Sequence, residues 1–257
     1  MAAIPFTTAA PSWVMAGTIY DNCVFLENKV DEVGLLFFET ESCLAYSNND
    51  LPTELATLDL NYHVHLPLDL PWSDPAQVAE IILRLMEKVQ FLGVERAVLH
   101  PPVTQGDDGF SRAEALSALD TVAAAWERAG LRCNDLLIEN IDGAELTDLV
   151  PAFNRWEFGL CLDLGHVIAY GQEPLLDCRE ICNRLRMVHL NAPADCFSVA
   201  GKSRHVSLDR LDKDGRRIAR RMLALCSKDT VLMYELFKWE HILSTIPVVK
   251  ELLLSEE

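Results

Sequence analysis

Six of the seven histidines in this chain stand in or just after short apolar runs, and three further runs end on or just past acidic residues. The series is His65, His100, Glu139, Asp163 with His166, His189, His205 and Glu235. Imidazole and carboxylate together are ligands for a divalent transition ion such as zinc, manganese or iron, and the absence of cysteine from the series argues against a purely structural thiolate site. One histidine after a strand is more often a hydrogen-bonded packing residue than a ligand. So many separate runs carrying ligand-type residues make that bland reading hard to sustain. Successive members are mostly a few tens of residues apart, about one strand plus one crossover helix, so different strands of one parallel sheet can deliver them.

The apolar runs that would position these residues are 13–17, 33–39, 62–66, 97–100, 136–139, 158–163, 187–191 and 231–235. The segments between them read as helices. Pro75 follows a Ser73/Asp74 cap, Val78, Ile81, Ile82, Leu85 and Val89 repeat on one face, and Gly93 stands near the end. Ser111 and Glu114 have capping-box spacing, and that helix is expected to run to Gly130. Eight strands alternating with helices predict an α/β chain folded as a single closed (β/α)8 barrel over residues 1–257. A doubly wound open sheet explains less well why polar residues converge from so many strand ends, since a barrel builds its site at that one face.

Composition limits what such a site can serve. The chain has 257 residues, half of them hydrophobic, with a formal net charge of −17. No apolar run approaches membrane-spanning length, and no basic residue precedes the first apolar stretch, so the chain reads as soluble, cytoplasmic and without a secretory signal. The eight cysteines are scattered. Cys178 and Cys182 form a helical i,i+4 pair without C-x-x-C spacing, and reduced thiols are the simpler reading. The acidity argues against a duplex nucleic-acid partner, because proteins that grip DNA neutralise phosphates with Lys and Arg. A small-molecule substrate is expected, and the oligomeric state is left open.

Local pattern sorts the candidates further. Asp163 ends a run that is apolar on both faces, and Gly165 is expected to let the chain turn so that His166 returns over the same mouth. Period two puts Asn191 on the face of His189, as a substrate contact or support for a ligand, and puts His63 one layer below His65. Trp72 can stack on a planar ligand or anchor a long loop. Lys202 and Arg204 can meet a phosphate or stay solvated, and Glu39 can bind a hydroxyl. The run 213–221 reads as an exposed helix face, and His241 has no assigned role.

Taken in order, Leu99-His100-Pro101, Ile138-Glu139-Asn140, Cys161-Leu162-Asp163-Leu164-Gly165-His166, His189-Leu190-Asn191, Arg204-His205-Val206-Ser207-Leu208 and Tyr234-Glu235 resemble successive motifs of the xylose-isomerase-like barrel superfamily, which includes endonuclease IV (AP endonuclease family 2) and many sugar isomerases and epimerases. The endonuclease IV pattern implies a first metal on His65 and His100 and a bridge through Glu139. It implies a second metal completed by Asp163, His189 and Glu235, and a third on His166 and His205. Two or three divalent ions per chain follow, zinc first, with manganese, iron or cobalt as alternatives. Ser203 departs from the pattern, which has an aspartate two residues before the last histidine; Asp195 or Asp209 are the candidates to replace it.

Two reactions share these residues. Clustered ions can clamp and hydrolyse a phosphodiester. A single ion on Glu139, Asp163, His189 and Glu235 can instead serve a sugar isomerase or epimerase in which carboxylates shuttle a proton. Glu139 and Glu235 are the expected catalytic residues in either case. The extra histidines at 65 and 100 favour the phosphodiesterase, whereas in the isomerase alternative, whose superfamily members often carry histidines at the strand ends of His100 and His166, those two would orient sugar hydroxyls. In the N-terminal third, Trp13-Val14-Met15-Ala16-Gly17-Thr18, Leu36-Phe37-Phe38-Glu39 and His63-Val64-His65-Leu66-Pro67-Leu68-Asp69-Leu70-Pro71-Trp72 are similar to the cobamide-remodelling phosphodiesterases. That resemblance implies cleavage of the nucleotide loop of a B12-type corrinoid.

Overall fold

The computed structural model describes residues 4–106, 109–194 and 205–254. Eight parallel strands close into a barrel in chain order. They are β1 (Thr7–Pro11), β2 (Glu32–Leu36), β3 (Asn61–His65), β4 (Ala97–Leu99), β5 (Leu136–Glu139), β6 (Gly159–Asp163), β7 (Leu185–His189) and β8 (Val231–Met233). The helices are α1 (Ile19–Leu26), α2 (Thr40–Leu44), α3 (Pro75–Val89), α4 (Arg112–Arg128), α5 (Leu146–Trp156), α6 (Leu164–Ala169), α7 (Arg179–Cys182), α8 (Lys213–Ala224) and α9 (Trp239–Leu254). Pairing of β1 with β8, Ala9 opposite Met233, closes the ring. Among the described residues no helix is long and apolar enough to cross a membrane.

Local chemistry sets the helix starts. The Asp74 carboxylate accepts from the Gln77 amide at 3.1 Å with Pro75 in the first turn, and α3 buries Val78, Ile81, Ile82, Leu85 and Val89. At α4 the capping box closes both ways: the Glu114 amide donates to Ser111 Oγ at 3.3 Å and the Ser111 amide to the Glu114 carboxylate at 2.9 Å.

One strand differs from the sequence expectation. The first strand is Thr7–Pro11, whereas residues 13–17 form the loop after it, with Trp13 and Met15 exposed and Val14 buried between them. The alternation in 13–17 imitates a strand, while Ala9 and Ala10 give the true one a weak signal because alanine is a poor strand former. The remaining strands begin or end within three residues of the expected runs. Only β5 matches at both ends.

Inside the barrel, period two stacks one layer on another. Val98, Leu137, Cys161, Met187 and Met233 belong to a buried apolar cluster. Two residues further along each of these chain segments stand His100, Glu139, Asp163, His189 and Glu235. The candidate ligands therefore sit directly above an apolar floor. His63 is the polar member of the floor: its Nδ1 lies 2.5 Å from Glu32 Oε1, and Arg96 Nη1 reaches both Glu32 oxygens at 3.2 and 3.3 Å. Burial raises the Glu32 carboxyl, but His63 and Arg96 outweigh it and hold it below its ordinary range.

Gly34 leaves room for this arrangement. A Cβ at position 34 would lie 2.7 Å from His63 Nε2 and 2.9 Å from Met233 Cε. Gly34→Ala is therefore expected to destabilise the fold by about 1–3 kcal/mol, the usual cost of overpacking a core. Urea unfolding measures it, and a variant as stable as the parent would contradict this packing.

Candidate metal centre

Each candidate ligand within the described residues reaches the same mouth. Glu139, at the end of β5, directs its two oxygens to different imidazoles. Oε2 lies 3.2 Å from His65 Nε2 and 3.3 Å from His100 Nε2, while Oε1 lies 3.3 Å from His189 Nδ1 and 3.7 Å from His166 Nδ1. His189 Nδ1 is also 3.4 Å from Glu235 Oε2 and 3.9 Å from Asp163 Oδ2. His205 Nδ1 is 3.2 Å from Glu235 Oε2.

Among the described residues five groups have metal-ligand composition with donor atoms within 4.8 Å of one another; beside His65, His189 and Glu235, and Glu139, Cys161 and His189, they are, in order, His65, His100 and Glu139; Glu139, Asp163, His189 and Glu235; Asp163, His166 and His205. Glu139 joins the His65–His100 group to the four-residue group, and Asp163 joins the four-residue group to His166 and His205. Asp163 thus supplies a carboxylate to the pair His166 and His205. Ser203 and Asp195 lie outside the described residues, as do Lys202 and Arg204, and Asp209 is exposed.

Backbone groups set the ring orientations. His65 Nδ1 meets the Leu66 carbonyl at 3.0 Å, His166 Nδ1 the Asn140 carbonyl at 2.8 Å and His205 Nδ1 the Glu235 carbonyl at 3.1 Å. A proton held at Nδ1 leaves Nε2 as the free lone pair, the arrangement that supports a histidine ligand. His189 is different. Both of its ring nitrogens are buried without a hydrogen-bond partner, although buried polar atoms are nearly always satisfied. An unpartnered Nδ1 among three carboxylates fits a divalent ion, and so does the mixed nitrogen and oxygen donor set.

Support around the ligands is polar and buried. Asn191 Nδ2 donates to Asp163 Oδ2 at 2.6 Å and Glu235 Oε2 at 3.2 Å. Asn140 Oδ1 accepts from the Asp163 amide at 2.6 Å, and Asn140 Nδ2 donates to Gln172 Oε1 at 2.8 Å. Asp163 also caps α6, accepting from the His166 amide at 2.6 Å. Gly165 therefore acts otherwise than as the flexible turn expected from sequence: it is helical, and a Cβ there would lie 1.9 Å from Asn191 Oδ1. Close approach of Asn191 is what requires glycine.

Sequence reading did not single out Asn140 or Gln172 as ligand supports, nor the thiol of Cys161, which groups with Glu139 and His189. Asn140 follows Glu139 directly, so its placement at the strand end was available; Gln172 and Cys161 carried no comparable signal. Nor did it mark two rings on the ligands: Tyr170, 5.4 Å from His166, and Phe237, stacked on His205 at 5.3 Å. Trp72 is half-buried and packs on the main core. Glu39 is exposed and accepts from the Ser42 hydroxyl at 3.2 Å.

Packing these charges out of water moves their proton affinities. Burial raises the Glu139 carboxyl, but His189 and His100 outweigh it and hold it well below its usual range. Burial and then the neighbouring Glu235 and Glu139 push Asp163 up to about 6, against the pull of His166. Burial lowers His189, yet Cys161, Glu235 and Glu139 hold it well above an ordinary imidazole. His65 and His166 are raised in the same sense by neighbouring carboxylates.

Residues 45–241 match the family described as xylose isomerase-like TIM barrel. Among curated proteins none matches. Solved structures share the fold. A D-tagatose 3-epimerase-like protein has TM-score 0.72 and 19% identity over 96% of this chain and 97% of its own. Endonuclease IV from Thermus thermophilus has TM-score 0.66 and 21% identity over 96% and 98%. The IOLI protein with a binding zinc atom has TM-score 0.65 and 16% identity over 97% of each chain.

Raised histidines, and Asp163 at about 6, mean that the metal-free centre holds protons that a cation must displace. Zinc uptake is therefore expected to release about one proton or more per chain near pH 7, and affinity should fall as pH drops from about 7 to 5. Calorimetry in buffers of different ionisation enthalpy reads the release. A heat independent of buffer would contradict it.

Proposed function

The chain belongs to the xylose isomerase-like TIM barrel family, and from that premise we propose that it is a metal-dependent phosphodiesterase acting on a small molecule with two or three divalent ions. The nucleotide loop of a cobamide is its leading candidate substrate. One observation carries this reading: Glu139 faces His65 and His100 with one oxygen and His189 with the other. A sugar isomerase needs only the four-residue set of Glu139, Asp163, His189 and Glu235. The additional pair His65 and His100 favours a cluster.

Divalent ions bound there would supply charge neutralisation for a phosphoryl group and activation of water at neutral pH. The chain's own groups do the rest. Glu139 would link the first two ligand sets, with His65 and His100 on one side and Asp163, His189 and Glu235 on the other. Asn191 holds Asp163 and Glu235 in place through its two donated hydrogen bonds. His166, His205 and Asp163 would hold the third ion. Because the loops after β1 to β6 contain neither Lys nor Arg, recognition of a phosphodiester on that side would fall to the cluster rather than to a basic groove. A single phosphodiester within a bulky molecule suits that arrangement better than duplex DNA.

A second reading retains support. The D-tagatose 3-epimerase-like neighbour has the higher TM-score of the two functional types, and in a metal-dependent isomerase or epimerase Glu139 and Glu235 would move the proton between adjacent sugar carbons. Incubation with a cobamide and with bis(p-nitrophenyl) phosphate separates the two. We expect P–O cleavage, and we expect Glu139→Gln to lower it more than about 100-fold, since even partners of metal ligands are worth roughly 10–100-fold. Turnover of a ketose without P–O cleavage, or full activity in the variant, would overturn the phosphodiesterase.

A further inference from the structure

The mouth of the barrel is apolar on one side. Trp13 is 51% exposed and Met15 38%, both in the loop after β1; Phe38 after β2 is 42% exposed and Leu68 after β3 is 53%. Exposed apolar residues scattered singly are ordinary, but a continuous run beside a polar site is not. Leu68 and Phe38 connect to the candidate site. The Leu68 amide donates to the Phe38 carbonyl at 3.2 Å, the Phe38 ring meets Phe237 edge-on at 6.0 Å, and Phe237 stacks on the candidate ligand His205 at 5.3 Å.

The first loop joins the same rim. The Ser12 amide donates to the Gly34 carbonyl at 2.8 Å, and the Trp239 amide donates to the Val14 carbonyl at 3.0 Å, so this loop is tied to β2 and to the start of α9. Its shape is held by a fully buried side chain. Asn22 Oδ1 accepts from the Val14 and Met15 amides at 2.8 and 3.0 Å, and Asn22 Nδ2 donates to the Met15 and Thr18 carbonyls at 3.2 and 2.9 Å. Four bonds from one buried amide fix the loop while Trp13 and Met15 remain in water. Rigid presentation lowers the entropy lost when a ligand settles on such groups.

We propose that Trp13, Met15, Phe38, Leu68 and Phe237 form a binding platform for the large, planar, apolar body of a small-molecule substrate whose anionic group lies over the candidate metal ligands. Three features select that occupant. The platform leads through Phe237 directly to His205. Aromatic faces and a methionine are suited to a planar apolar surface. The adjoining loops after β1, β2 and β3 contain no Lys or Arg, so nothing on them would hold a polyanion. The inference rests on the reading of the mouth as a small-molecule site, but not on which bond is broken there.

Its test reads binding of compounds that neither a phosphodiesterase nor an isomerase would turn over. Methanesulfonate, benzenesulfonate and 8-anilinonaphthalene-1-sulfonate carry the same anionic group on bodies of increasing aromatic size. Affinity of the zinc-loaded full chain for the three should rise in that order. Trp13→Ser and Phe38→Ser should each weaken binding of the naphthalene compound about fivefold to tenfold, in line with the loss of an aromatic contact, and leave methanesulfonate unchanged. Leu243→Ser, on α9 and 51% exposed, should change neither. Equal affinity for the three compounds would overturn the platform, as would rim variants that bind like the parent or a control that loses as much. A dimer in sedimentation velocity that dissociates in the rim variants while dye binding is unchanged would assign the surface to a second copy instead. Loss of dye affinity in the rim variants without P–O cleavage on any phosphodiester would leave the platform standing and remove only the proposed reaction.

Discussion

Three carboxylates, those of Glu139, Asp163 and Glu235, are packed around the ring of His189 with little access to water, and the rest of the centre answers to their mutual repulsion. Two like charges about 4 Å apart oppose each other by about 4 kcal/mol at an effective dielectric of about 20. No Lys or Arg forms an ion pair with these three among the described residues. The counter-charge must come from protons on imidazole or from cations. The raised proton affinity of His189 is the first of these answers, Asp163, raised to about 6, relieves the repulsion by taking up a proton itself, and divalent ions would be the second.

The barrel makes this concentration of charge possible. Parallel strands point alternate residues inward, so along each of the segments from β4 to β8 an apolar inward residue is followed two positions later by a ligand-type residue. The apolar floor keeps water from below, and Asn140 and Asn191 satisfy Asp163 and Glu235 from the side. Isomerase and hydrolase share the layer. The proposed phosphodiesterase reading rests on His65 and His100, and the proposed apolar platform bears on substrate choice more than on chemistry.

Much of this was legible in the sequence because the candidate ligands occupy the ends of strands whose apolar runs are strong. β3 and β5 to β8 combine such a run with a titratable end, so period and ligand type agreed. β1 lacked both: its inward residue is Ala9, and the exposed Trp13 and Met15 nearby gave a better imitation of strand alternation. Glu32 falls one residue before the expected run 33–39, and only its bond to His63 shows that it faces into the barrel. Gly165 was visible as a glycine, yet its reason, the nearby Asn191 oxygen, depends on a contact between separate strands that no local pattern contains. The sharing of Asp163 between two ligand groups was hidden for the same reason.

Metal content tests the clustered centre most directly. Protein purified without added metal and measured by elemental analysis should carry two or more transition-metal ions per chain. One ion or fewer would contradict the cluster and leave the four residues Glu139, Asp163, His189 and Glu235 as a single-ion site of the isomerase type.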